Sequence, residues 1–285
     1  MLNLVLETPN ILRKYLKKFK KWLTEKQFKN FKKYVSGLLL ELKRTNIQTI
    51  NAACIESKYD SLHHFLSNSP WNEEELNLER IKIVQANRQT KSCQKGVLAI
   101  DDTSNKKSGK HTEGAQVQYS GSQRGLANNN TVVTSHYVDD KKDFPINLKP
   151  YLPASECENG KDSKTFFSKL ELAEKLVVDA LVKGIEFGEV TFDSWYLSKD
   201  FIKFLEGKKL NWISTLPVDR TLFYEGKAIR VDEPVKKLGS KGFYVKEGTW
   251  LTGQGITWIR SLTLEVKGLK GKKKIVIKKK FRSLY

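Results

Sequence analysis

The stretch Gly96-Val97-Leu98-Ala99-Ile100-Asp101-Asp102-Thr103 decides how this chain is read. Its first half is a short apolar run bounded by polar residues, the pattern of a buried strand. Its second half sets carboxylates at the strand's end. Further on, Glu189-Val190-Thr191-Phe192 forms a second such run and leads into Asp193. An aspartate at a strand end is, taken alone, an ordinary turn or capping residue. Two of them at the ends of two strands gain meaning only if the fold brings those strands together.

The intervening sequence supplies that fold. A polar loop is expected from Ser104 to about Gly125, and a β-branched strand from Asn130 to Tyr137. Phe144 to Tyr151 reads as a third strand after the turn at Asp139 to Asp143. Lys164 to Lys183 is amphipathic, with Leu172, Leu176, Val177 and Ala180 on one face of a helix. A short helix over Ser198–Leu205 and a strand over Leu210–Thr215 follow Asp193. The order β-β-β-α-β-α-β predicts an α/β fold, a mixed sheet flanked by helices, as in ribonuclease-H-like folds. In that order strands one and four are neighbours, about 4.8 Å apart. Asp101 and Asp193 would then lie side by side and repel unless a cation held them. Mg²⁺ suits such a pair, because it takes carboxylate oxygen and keeps waters, and two such ions about 3.5–4 Å apart act on phosphodiesters. Successive strand residues face opposite ways, so only one of Asp101 and Asp102 faces the site. Asp102 is expected to cap or hydrogen-bond the following loop.

Residues 1–92 read as an all-helical, DNA-binding domain. Leu12, Leu16, Phe19 and Leu23, then Phe28, Phe31 and Val35, recur at helical spacing, with Thr24, Glu25 and Gln27 as a helix start. Thr49–Ile55 and Ser61–Leu66 suggest two short helices. These form either a DNA-reading helix-turn-helix or a plain helical hairpin. Asn72 can cap a helix beginning Glu73-Glu74-Glu75, acids that suit the positive end of the helix dipole. The core is expected over 93–220. Residues 221–285 read as a β-rich antiparallel segment, with runs at 243–245, 250–251, 257–259, 261–266 and 274–277 and a basic end from Lys267 to Lys280.

Composition limits the functional classes. The 285 residues carry 51 Lys and Arg against 32 Asp and Glu, a formal net charge of +19, with 39% hydrophobic and 11% aromatic residues. The chain is therefore a folded protein whose charge favours a polyanionic partner, nucleic acid first. Three separated cysteines, Cys54, Cys93 and Cys157, form no disulfide framework and fit a reducing compartment. No apolar run reaches the roughly 18 residues of a membrane span, so a cytoplasmic, nucleoid-associated protein without a membrane partner is expected. Lys106, Lys107, Lys110 and His111, just after the first carboxylates, and Lys272, Lys273 and Lys274 near the end are candidate phosphate contacts; the first group reads equally as a solvated loop. His63, His64 and His136 read as structural or surface residues rather than ligands.

Ala99-Ile100-Asp101-Asp102-Thr103, then Lys106-Lys107-Ser108-Gly109-Lys110-His111-Thr112-Glu113-Gly114 and Gln118-Tyr119-Ser120-Gly121, resemble the DDE transposases of bacterial insertion sequences. The likeness continues through Val132–His136, Phe144-Pro145-Ile146, Leu152-Pro153 and Val190-Thr191-Phe192-Asp193-Ser194-Trp195-Tyr196. The resemblance implies a ribonuclease-H-like core with Asp101 and Asp193 as catalytic metal ligands for Mg²⁺, with Mn²⁺ able to substitute. It also implies cleavage of double-stranded DNA at transposon ends, strand transfer into target DNA, and action as a homodimer on DNA. The third acidic residue of that family, a Glu on a late helix, has no match: Glu247 and Glu265 lie in strand-like runs. The chain ends before the expected last catalytic helix. That leaves three readings: a transposase, a non-catalytic DNA-binding derivative of one, and another metal nuclease on the same fold.

Overall fold

The computed structural model describes residues 8–39, 46–53, 58–108, 112, 114–120, 124–231, 244–246 and 257–280. The chain divides into two compact units, Met1–Ser92 with Val182–Ile185, and Cys93–Leu181 with Glu186–Tyr285.

The first unit is helical, with α1 (Asn10–Leu16), α2 (Glu25–Leu38), α3 (Ile47–Ala53), α4 (Tyr59–Ser67) and α5 (Glu73–Ala86). Thr24 starts α2 with a capping box: its hydroxyl accepts from Gln27 N–H at 3.3 Å, and the Gln27 side chain accepts from Thr24 N–H at 2.8 Å. Asn72 caps α5 by accepting from Glu75 N–H at 3.1 Å. The core gathers Phe19, Leu23, Phe28, Phe65 and Leu76. A buried acid, Glu79, is matched by Lys21 at 2.9 Å, and that ammonium holds the Glu79 carboxyl below its ordinary range against burial. Among the described residues no helix is long and apolar enough to cross a membrane.

The second unit carries two sheets. The first contains β1 (Val97–Lys106), β2 (Gln116–Ser120), β3 (Gly125–Val138), β4 (Asp143–Tyr151), β5 (Glu189–Phe192) and β6 (Asn211–Ser214). Its order is β2-β3-β1-β5-β6, with β4 also on β3. β1, β3 and β4 are antiparallel, while β5 and β6 run parallel to β1. Two helices accompany the parallel strands, α6 (Lys169–Val182) before β5 and α7 (Lys199–Gly207) before β6. This is a ribonuclease-H-like mixed sheet. Leu98, Ile100, Val190 and Phe192 from the strands are buried, as are Leu176, Val177 and Ala180 of α6 and Phe201 and Leu205 of α7. Phe192 meets Phe201 edge-on at 5.1 Å between ring centroids.

The first sheet departs from the sequence reading at two places. β1 does not end at Asp101 but runs on to Lys106, pairing residue by residue with Asn129–Val138. The expected loop also holds a further strand, β2, paired with Gly125–Asn129. Polar side chains hid both. Antiparallel strands need only one apolar face, and here even the buried positions of β3 opposite them are polar. Asn129 and Thr131 are buried, and both accept from the Gln118 amide, at 2.8 and 2.7 Å.

The second sheet comprises β7 (Thr221–Tyr224), β8 (Lys227–Arg230), β9 (Tyr244–Lys246), β10 (Thr257–Val266) and β11 (Lys272–Lys280), in the order β11-β10-β7-β8 with β9 also on β10. The β-rich reading of this segment thus holds for its described part, while β7 and β8 were not anticipated. The expected run at 250–251 lies outside the described residues.

Gly96, just before β1, has the Tyr137 ring where a side chain would begin. That ring cannot swing away freely. Its hydroxyl donates to Asp139 at 2.8 Å and accepts from Cys93 N–H at 3.0 Å, and Lys142 clamps Asp139 at 2.6 Å. Gly96→Ala is therefore expected to destabilise the fold by about 1–3 kcal/mol through overpacking. Urea unfolding should show a lower midpoint with an unchanged slope.

Candidate functional site

The parallel register of β1 and β5 positions the acidic residues. The pairs run from Val97↔Glu189 to Ile100↔Phe192, so Asp101 and Asp193 each follow the last pair. Phe192 is buried where β5 ends, and Asp193 turns outward as the cap of a short 3₁₀ turn, Ser194–Tyr196. Its Oδ1 accepts from Trp195 N–H at 2.9 Å and Tyr196 N–H at 3.4 Å. Asp101 Oδ1 accepts from Asp102 N–H at 2.8 Å. In both aspartates local backbone therefore holds one oxygen, and the other carries no hydrogen bond among the described residues.

Strand alternation puts Asp102 on the face of the buried Leu98 and Ile100. There it does not bond the following loop, as the sequence reading expected. Its Oδ2 accepts from Lys169 Nζ at 2.8 Å, and its Oδ1 accepts from the Tyr196 hydroxyl at 3.2 Å. Lys169 opens α6, the end of a helix where a cation is least welcome. The Asp102 carboxylate offsets this, as do the rings of Trp195 and Tyr151, whose centroids lie 5.3 and 5.7 Å from the ammonium.

The charges make one cluster. Burial raises the Asp101 carboxyl above its ordinary 3.8, the Asp102 N–H opposes this, and the Asp193 and Asp102 charges push it further up. Burial also pushes the Tyr196 phenol well above its ordinary range, and the charges of Asp102, Asp101 and Asp193 add to it. Tyr196 is fully buried and stays a proton donor at neutral pH. Asp101 thus shows an unmet demand for positive charge beside an outward-facing Asp193. Among the described residues no three His, Cys, Asp or Glu side chains enclose a cation by themselves. Two carboxylates with open oxygens suit a cation that keeps waters, as Mg²⁺ does.

The other expected site residues are scattered. Lys106 is exposed at the end of β1, and Lys107 just beyond it donates its backbone N–H to Asn128 O at 2.9 Å. Lys110, His111 and Glu247 lie outside the described residues. Glu265 sits exposed on β10, paired across to Lys272. Lys272 and Lys274 are exposed on β11, but Lys273 points the other way. It is ion-paired with Glu206 and lies 5.8 Å from the centroid of the Trp212 ring. Sequence reasoning missed Lys169 and Tyr196 as partners of the acidic cluster. The spacing Leu98, Ile100, Asp102 was the available signal for the inward carboxylate; nothing local to Lys169 announced it.

Because the Asp101 carboxyl is raised, the folded state holds its proton more tightly than the unfolded chain does. The stability it contributes is present at low pH and is lost as pH climbs from 3.8 through the raised value. Without divalent cation, Asp101→Asn should therefore raise the thermal midpoint at neutral pH and flatten its dependence on pH above that of a normal aspartate. Calorimetry across a pH series checks both, and an unchanged or lower midpoint at neutral pH would contradict the electrostatic account.

A family model described as DDE superfamily endonuclease matches residues 18–255. The probable transposase for insertion sequence element IS701 of Microchaete diplosiphon is 30% identical over 190 residues, which cover 66% of this chain and 48% of that relative. The chain thus spans about half the length of the curated relative it matches. A solved structure, the Drosophila P element transposase strand transfer complex, is 12% identical over 79% of this chain and 55% of its own, with a TM-score of 0.27. The family model covers most of the sequence, both strand-end aspartates included, and by that match this chain belongs to the DDE superfamily endonucleases.

Proposed function

We propose that the chain performs the metal-dependent DNA chemistry of transposition: cleavage of double-stranded DNA at transposon ends, followed by attack of the freed 3′-hydroxyl on target DNA. The observation that carries this is the β1–β5 register, which sets Asp101 and Asp193 one step beyond a shared pair of buried residues. In this reading residues 1–92 bind DNA, 93–220 are the catalytic core, and 221–285 are an insertion.

Asp101 and Asp193 would hold Mg²⁺, or Mn²⁺ in its place, through the oxygens that local backbone leaves open. When bound, the cation supplies charge at the phosphate and lowers the cost of ionising the attacking hydroxyl. The chain's own residues do the rest. The N–H groups of Asp102, Trp195 and Tyr196 orient the two carboxylates. Lys169 and Tyr196 fix Asp102 beside them. Lys106, Lys107, Lys110 and His111 would meet backbone phosphates, which position DNA without reading its sequence. The net charge of +19 favours a nucleic-acid partner over a neutral one. A soluble protein of the cytoplasm and nucleoid, paired as a dimer on the DNA, is consistent with this chemistry.

The second reading is a DNA-binding derivative without turnover. It draws on the absence, among the described residues, of a third carboxylate that closes the site. Incubation with the element's own end DNA and Mg²⁺ separates the two. Wild type should cut at the end, and Asp193→Asn and Asp101→Asn should each lose about 10²–10³ in rate, the scale of removing one preorganised charge-stabilising group. Asp102→Asn belongs in the same series. If it abolishes Mg²⁺ binding while Asp101→Asn keeps it, the strand-borne ligand is Asp102 instead. Specific binding with no cleavage by wild type would establish the second reading.

A further inference from the structure

The hairpin of β10 and β11 has two chemically different faces. On one, Leu262, Leu264, Ile275 and Ile277 are half-buried, and Lys273 points inward to Glu206. On the other, Lys272, Lys274 and Lys278 are exposed, with an exposed Val276 between the last two, and Thr263 and Ser261 stand across the ladder from Lys274 and Val276. None of these three lysines has an ion-pair partner among the described residues. The turn at 267–271, closed by Gly268 and Gly271 at φ 86° and 72°, adds the exposed Lys267 and Lys270. The one acid on this face is Glu265, opposite Lys272.

We propose that this outward face is a sequence-independent docking surface for the sugar-phosphate backbone of double-stranded DNA, separate from the carboxylate cluster. The inference rests on the DNA-acting reading above. Side chains two apart on an antiparallel strand advance about 6.8 Å, so Lys272 to Lys278 span about 20 Å. One DNA strand carries a phosphate about every 3.4 Å of axis, so a row of that length spans several phosphates, with Lys272, Lys274 and Lys278 as its cations and the exposed Val276 between the last two. Ammonium groups and hydroxyls are phosphate contacts, and the face presents no planar amide or guanidinium to read a base edge. The rival explanation is protective: β11 is the edge of its sheet, and lysines on an edge strand block pairing with other chains.

The experiment titrates the full chain with a duplex of unrelated sequence over a salt series. Lys272→Gln/Lys274→Gln/Lys278→Gln should bind about tenfold or more weakly, and its log–log salt slope should be shallower by up to about 2.7, three phosphates at 0.9 each. Lys273→Gln, on the opposite face, should keep the slope. Because neutral glutamines could also expose the edge, a second triple variant with Glu at all three positions keeps the edge charged. It should keep the oligomeric state of wild type and bind more weakly still. Unchanged slope in both triple variants, with wild type binding, would overturn the docking surface and leave edge protection. Failure of wild type to bind any duplex would instead bring down the DNA-acting reading itself.

Discussion

The parallel pairing of β1 with β5 is the constraint on which the rest of this protein depends. Only four residue pairs make it, Val97 to Ile100 against Glu189 to Phe192. It is fixed from below by a close backbone approach: Gly188 N–H donates to Gly96 O at 2.9 Å, and a side chain on Gly188 would meet the carbonyl oxygen of Gln94. It is fixed from above by Phe192 lodged against Phe201 and Trp212. Parallel strands require a crossover, and α6 provides it by burying Leu172, Leu176 and Val177. A slip of one residue would turn Asp101 inward and Asp102 outward, and would also expose Leu98 and Ile100. Hydrophobic burial therefore enforces the register, and the acidic cluster inherits its geometry from that register.

That geometry is electrostatically costly. Three carboxylates, those of Asp101, Asp102 and Asp193, act on one buried phenol and on each other. The fold tolerates them in two ways. Asp102 is neutralised from within by Lys169, a cation placed against the helix dipole and held there by two aromatic rings. Asp101 and Asp193 receive only backbone N–H groups, which orient them without cancelling their charge. The division is between a carboxylate that is satisfied internally and two that are left in demand of a cation. That unmet demand is the electrostatic ground on which the proposed cation site rests.

Much of this was legible in the sequence because it follows from local patterning. Val97–Ile100 and Glu189–Phe192 are apolar and short, the α6 face repeats at helical spacing, and Thr24 and Asn72 announce their helices. β1 beyond Asp101 and all of β2 were not legible. The buried positions opposite them on β3 are Asn129 and Thr131, held by Gln118 of β2, and no hydrophobic period marks a strand stabilised by side-chain amides. Lys169 and Tyr196 were silent for another reason. They stand 67 and 94 residues from Asp102, and only the completed sheet brings them to it.

The same period of two decides the chemistry at both ends of the second unit. Asp101 and Asp102 are adjacent in sequence and identical in type, yet one is outward and uncompensated while the other is inward and ion-paired. Lys272, Lys273 and Lys274 form a run that composition treats as one basic patch. On the strand, Lys273 becomes a packing residue against Trp212 and Glu206, while its neighbours face solvent. Counting charges along the chain therefore overstates how many are available to a ligand. A strand presents half of them to each side, and the hydrophobic residues sharing a face determine which half stays wet. The apolar positions Leu98, Ile100, Ile275 and Ile277 thus select, by burial alone, which carboxylates and which ammonium groups remain free to meet a cation or a phosphate.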